Sequence, residues 1–198
     1  MPKTKEQTDE RPIIFNGWSI RRILAGEKAQ TRRIVRPHPV LWEEECPYGQ
    51  TGDRLWVREA FRLPASYDDQ PPSFYCDLSV RPRKYVADGA YMTNEEVVGT
   101  RPIEWGRKRP SIHMPRELCR LRLRVEDVRV ERLQEINEDD AMAEGVEPVT
   151  RRSTSVHGGT ITSASVAFKE LWKEIHGTGA WEENPFVWVL EFSTMDTE

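Results

Sequence analysis

The chain has 198 residues, with 29 Lys and Arg against 33 Asp and Glu, and a formal net charge of −4. That length fits one domain or a domain carrying an insertion; no apolar run is long enough to span a membrane, and the charged N-terminus lacks the apolar stretch of a secretory signal. Three scattered cysteines, Cys46, Cys76 and Cys119, without CxxC spacing, fit a reducing, cytoplasmic setting better than a disulfide framework. A zinc site from Cys46, Cys76 and His113 is the alternative for those side chains. Hydrophobic residues make up only 37 %, yet seven Trp, six Phe and five Tyr supply large side chains for a core.

In chain order, residues 1–10 read as a disordered tail and residues 11–195 as a single domain. Pro12 to Phe15 is a strand candidate, Asn16-Gly17 a turn and Trp18 to Ala25 a helix, with Ile20, Ile23 and Leu24 on one face. Gly26 stands where a helix C-cap is expected. Gln30 to Val35 is a strand stopped by Pro37 and Pro39. Arg54 to Arg58 is another, its Leu55 and Val57 alternating with polar neighbours. Residues 60–115 read as a large loop insertion with short strands at 73–76 and 84–87 and a helical turn at 93–97. Leu118 to Val130 is the clearest strand, its phase slipping near Asp127 as at a bulge. Asn137 caps a short acidic helix through Ala143. Residues 147–163 read as a flexible Ser/Thr/Gly loop. Ser165 to His176 is an amphipathic helix burying Val166, Phe168, Leu171, Trp172 and Ile175, and Phe186 to Phe192 is the last strand. Strands that do not alternate regularly with helices favour an α+β fold or a small barrel.

Charge is distributed unevenly. Residues 21–36 hold six Lys or Arg against one Glu, and residues 101–124 hold eight against two. Such segments form either a phosphate-facing patch or solvated outer faces.

The most informative stretch is Gly26-Glu27-Lys28-Ala29-Gln30-Thr31-Arg32-Arg33. In an extended segment Thr31 and Arg33 point to one side, so a lysine at the turn and a hydroxyl inside the strand could share a pocket. Lysine beside a helix C-terminus is also favoured by the helix dipole alone. At the other helix, Glu144 sits at the C-terminal end, where a carboxylate is disfavoured.

The Gly26, Lys28, Thr31, Arg33 pattern resembles the Gly-x-Lys-x-x-Glu-x-Arg signature of ASCH domains, a branch of the PUA-like superfamily, with Thr31 where many members have glutamate. Gly52-Asp53-Arg54-Leu55-Trp56-Val57, the strand 185–192 and the acidic helix ending at Glu144 fit the same pattern. Arg109-Pro110-Ser111-Ile112-His113-Met114-Pro115-Arg116 is similar to ASCH-like proteins of phages and prophages. The resemblance implies an α+β, PUA-like small β-barrel with flanking helices and a large loop insertion at about 60–115. The threonine is similar to bacterial enzymes that hydrolyse N4-acetylcytidine, and this implies a catalytic group of Lys28, Thr31 and Glu144. Burial and the charges of Arg32 and Arg33 would lower the lysine's pKa; Thr31 would attack an acyl carbon and Glu144 would move a proton. Arg33, Arg32, Phe15, Trp105, His113 and Arg116 are the substrate-binding candidates, the partner is a modified nucleoside or RNA, and no cofactor is implied. Two other classes remain open: an RNA- or base-binding module without chemistry, in which the basic segments hold phosphates and Trp105 or Trp56 stacks a base, and a protein-interaction scaffold.

Overall fold

A computed structural model describes residues 10–36, 45–70, 83–92, 103–152 and 160–195. The expected tail at 1–9, the strand at 73–76 and the helical turn at 93–97 lie outside the described residues. The fold is mixed α+β, and the chain divides into two compact units: residues 1–21, 53–124 and 194–198 form the first, and residues 22–52 and 125–193 the second. Among the described residues no helix is long and apolar enough to cross a membrane.

In the first unit, β1 (Glu10–Ile14) runs parallel to β3 (Arg54–Arg58), with Ile13 opposite Val57. On its other side β3 pairs antiparallel with the start of β7 (Arg122–Arg132), placing Leu55 opposite Leu123. Strand period two explains the core: Ile13, Leu55, Val57, Leu121 and Leu123 are buried while Arg54 and Arg124 face out. Strands β4 (Phe61–Arg62), β5 (Arg83–Tyr85) and β6 (Tyr91–Met92) form a separate three-stranded sheet. It shelters a cluster of Phe61, Leu63, Tyr85, Met114 and Leu118. That cluster explains why the strand expected from Leu118 starts only at Arg122. Arg116–Leu118 forms a 3-10 turn after Pro115, and the Tyr85 hydroxyl donates to the Leu118 carbonyl at 2.9 Å. Burial of Leu118 and this bond fix the segment off the sheet.

In the second unit, β10 (Phe186–Met195) pairs antiparallel with β2 (Gln30–Ile34), with Leu190 opposite Thr31 and Trp188 opposite Arg33. The later part of β7 is the neighbour of β10 on its other side. Alternation in β7 ends at Val125; residues 127–132 are all half-buried. Helix α1 (Gly17–Leu24) buries Ser19, Ile20 and Ile23, but Leu24 is exposed, contrary to its expected place on the apolar face.

Helix α2 (Glu138–Ala143) is capped by the Asn137 side chain, which accepts from Asp140 N at 2.8 Å. Helix α3 (Ala164–His176) is capped by Ser163 and packs Phe168 and Trp172 against Leu133, Val187 and Val189. Val166 and Leu171 are only half-buried, and Ile175, expected inside, is exposed because it lies in the last turn, beyond that cluster. The loop expected at 147–163 is instead flanked by a hairpin of β8 (Val149–Arg152) and β9 (Thr160–Ser163), with Thr150 opposite Thr162. Val149, Thr150, Thr160, Ile161 and Thr162 are β-branched, and the extended conformation suits them.

Candidate active site

The site begins where α1 stops. Gly26 takes φ +73° at no steric cost, and the amides of Glu27 and Lys28 both donate to the Arg22 carbonyl, at 2.8 and 3.2 Å. The chain is thereby turned into β2. Ala29 ties the turn at both ends: its amide donates to the Ala143 carbonyl at 2.8 Å, and its carbonyl accepts from Phe192 at 2.8 Å. The C-terminus of α2 therefore lies on Lys28. Gly145, at φ +89°, permits this approach, since a Cβ there would stand 3.0 Å from Lys28 Cβ.

Lys28 and Glu144, 116 residues apart in sequence, meet at this junction. Lys28 Nζ donates to the Glu144 carbonyl at 2.8 Å and to Glu144 Oε2 at 2.5 Å. Their side chains are 3 % and 5 % exposed. The ammonium thus offsets both the disfavoured carboxylate and the negative end of the helix.

The other carboxylate oxygen, Oε1, lies 3.3 Å from Arg32 Nη1. Arg32 Nη2 also contacts Glu131 Oε1 at 2.6 Å and Asp140 Oδ2 at 3.2 Å. Its side chain is fully buried, and its guanidinium sits 5.7 Å from the Phe168 ring. Gln30, on the same side of β2 by strand alternation, donates to Asp140 at 2.9 Å and to Glu191 at 3.2 Å. Arg129 adds contacts to Glu131, Asp140 and Glu191. A buried charge is tolerable only when paired and hydrogen-bonded, and here Lys28 and Arg32 both have carboxylate partners.

Electrostatics follow from this burial. Desolvation pushes the Lys28 ammonium below the ordinary lysine value; Glu144 opposes the shift, and the charges of Arg33 and Arg32 add to it. Burial likewise lowers Arg33, against the pull of Tyr48 and Glu144. His176, at the end of α3, is lowered by burial and by the charges of Arg33 and Arg36, and its ring lies 4.2 Å from that of Trp172. An amine with a weakened hold on its proton, beside a carboxylate, is a pair fitted for proton transfer.

Of the residues singled out in the sequence, Lys28, Glu144, Arg32 and Arg33 come together. Thr31 is buried in the adjacent strand, and among the described residues its hydroxyl bonds neither Lys28 nor Glu144. Arg32 holds carboxylates inside the protein and has no surface for substrate. Phe15, Trp105, His113 and Arg116 belong to the first unit. Phe15 is buried in its core, Trp105 is half-buried and bridged to Pro64, and Arg116 pairs with Glu10. His113 is exposed on a cavity of about 450 Å³. Sequence reasoning missed Gln30, Arg129, Glu131 and Asp140 as partners of this site and His176 as a neighbour of Arg33. Strand period could have found Gln30, which shares the phase of Arg32.

Cys46 and Cys119 are buried, and Cys76 lies outside the described residues. No cluster of three or more metal-ligating side chains occurs among the described residues.

No protein-family model matches the chain, and no curated protein matches it. A crystal structure of an Enterococcus faecalis V583 protein of the DUF984 family aligns over 97 % of this chain and 83 % of that one, at 10 % identity and a TM-score of 0.41.

Proposed function

We propose that this chain is an ASCH-type protein with a PUA-like fold, and that it hydrolyses the amide joining an acyl group to the exocyclic amine of a modified cytidine. The observation that carries the reading is the Lys28–Glu144 contact of 2.5 Å. The family pattern implied this pairing for residues that a helix-capping argument alone would not bring together.

In this reading the neutral Lys28 amine takes the proton from Thr31 Oγ as that oxygen bonds to the acyl carbon. Arg33 steadies the oxyanion. The intermediate collapses with cleavage of the carbon–nitrogen bond, the lysine's new proton passing, directly or over Glu144, to the departing amine. Water then adds to the threonine ester and loses its proton to Lys28 or Glu144; the acyl carbon–Oγ bond breaks, that proton returns to Thr31 Oγ, and the carboxylate is released. Arg32 acts as a positioning residue, holding one oxygen of Glu144 so that the other faces Lys28.

Turnover of a panel of N4-acylated cytidines and deoxycytidines tests the reading. The wild-type protein is expected to deacylate at least one member, and Lys28→Ala and Thr31→Val to lose that activity. No turnover of any member by wild type would sink the proposal.

One observation favours a second reading, a base-binding module without chemistry. The Lys28–Glu144 pair is nearly closed to solvent, and the Thr31 hydroxyl bonds neither partner. Under it Thr31→Val leaves affinity for a modified nucleoside unchanged, whereas Arg33→Ala weakens it.

A further inference from the structure

The cavity in the first unit takes no part in the chemistry above, and its lining is strongly basic. Arg107, Lys108 and Arg109 contribute three cations in a row, His113 adds an imidazole, and Asp69 is the one carboxylate on the wall. The wall is rigidly built. Residues 104–109 run extended beside residues 61–65: Ala65 N donates to the Glu104 carbonyl at 2.8 Å, Gly106 N to the Leu63 carbonyl at 2.8 Å, and Phe61 and Arg109 exchange bonds of 3.2 and 2.8 Å. The Arg107 amide reaches both Asp68 oxygens, at 3.1 and 2.9 Å. Arg109 is buried and oriented by the Tyr67 carbonyl at 2.6 Å and by Asp68 at 3.5 Å. Asp68 is therefore occupied by the wall itself.

The remaining charges are available. Among the described residues the side chains of Arg107, Lys108 and His113 are exposed and make no ion pair or hydrogen bond. A 3-10 turn at Ser111–His113 places the imidazole beside the cations. In a protein of net charge −4, such a concentration of unpaired donors around one concavity is built for an anion. A cavity of about 450 Å³ falls within the range of small-ligand sites and has room for a nucleotide.

We propose that this cavity is a phosphate-binding site for a nucleotide phosphate, with Arg107 and Lys108 as the principal contacts, His113 as a further donor and Arg109 as the fixed charge at its base. The inference does not depend on the deacylation reading. It fails or stands separately, because neither cation belongs to the Lys28 site.

The test measures binding of inorganic phosphate, cytidine monophosphate and a short single-stranded oligonucleotide to the full chain by calorimetry, across salt concentrations. The comparison set is wild type, Arg107→Ala/Lys108→Ala and a charge-matched control, Arg54→Ala/Arg124→Ala. All four positions are exposed, so the fold should survive, and circular dichroism checks this. Expected is saturable binding weakened about tenfold for each cation removed from the cavity, with the control unchanged. Binding of phosphate or the mononucleotide identifies a monoester as the source. Binding of the oligonucleotide alone, with a salt slope reduced by about 0.7 per cation lost, identifies a nucleic-acid backbone. No binding of any probe, or equal weakening in the control, overturns the proposal.

Discussion

At the scale of single residues, the ionisation of Lys28 decides what the site can do. Burial lowers its pKa while Glu144 resists the change. The unfolded chain therefore carries more protons on this group between the lowered value and the ordinary one of 10.5, and stability rises with pH across that window. The neutral amine is the form that accepts a proton, so deacylation should also rise with pH along the limb set by Lys28. A pH–rate profile checks this, and a flat profile would remove Lys28 as the base. Glu144→Gln keeps a side chain able to accept from Lys28 and so should keep the fold. Its kcat should drop about 10²- to 10⁴-fold, measured beside its unfolding midpoint. Glu144 was legible in the sequence because a carboxylate at a helix C-terminus is disfavoured, whereas Lys28, which the helix dipole alone would explain, stood out only through the motif that Gly26, Lys28, Thr31 and Arg33 resemble. Arg32 was not legible, because strand alternation assigns a face without saying whether that face meets solvent or buried carboxylates. Asp140 lies in the short acidic helix that Asn137 caps; its contacts with Gln30, Arg32 and Arg129 depend on tertiary structure that sequence spacing does not carry.

At the scale of elements, the docking of α2 on the turn after α1 can be tested by two glycines. Both have positive φ, so alanine at either should cost about 1 kcal/mol or more. Gly26 faces open space, whereas a methyl at Gly145 presses on Lys28 Cβ and Arg22 Cβ. Gly145→Ala should therefore lower both the urea midpoint and activity, and Gly26→Ala the midpoint alone. The start of α3 offers a pH test. The Glu138 carboxylate accepts from the Ser163 hydroxyl at 2.7 Å, the Ala164 amide at 2.6 Å and the Ser165 hydroxyl at 2.6 Å, and these bonds hold its pKa down to about 2. A depressed carboxylate contributes stability above its ordinary value of 4.5 and loses it as pH falls toward 2. Acid titration of Glu138→Gln should accordingly be flatter over that interval than wild type. The main helices and strands were legible because they follow clear periods of 3.6 or two. The β8–β9 hairpin was not, because a Ser/Thr/Gly-rich composition outweighed the β-branched residues at its two flanks.

At the scale of the molecule, each of the two compact units is made of discontinuous segments, with boundaries inside α1, β7 and β10 and one in the turn before β3. Sequence reading drew one domain with an insertion, since nothing in composition marks a border inside a regular element. A fragment of residues 125–198 would contain Glu131, Asp140 and Glu144 but neither Lys28 nor Arg32. It keeps Arg129, which meets Glu131 and Asp140, but lacks the buried cations that meet Glu144 and share those carboxylates, so it should show no cooperative thermal transition by circular dichroism. A sharp transition would mean that the network is dispensable for folding.

The 116 residues between Lys28 and Glu144 also set a schedule on the ribosome. At about 5–20 residues per second, on the order of 6 to 23 seconds separate the synthesis of the lysine from that of its carboxylate. Through that interval the nascent β2 segment carries Lys28, Arg32 and Arg33 with their partners still unmade. Assembly of the site therefore waits on synthesis of α2, and a chain stalled before that helix leaves the exit tunnel has no carboxylate against which to bury its lysine.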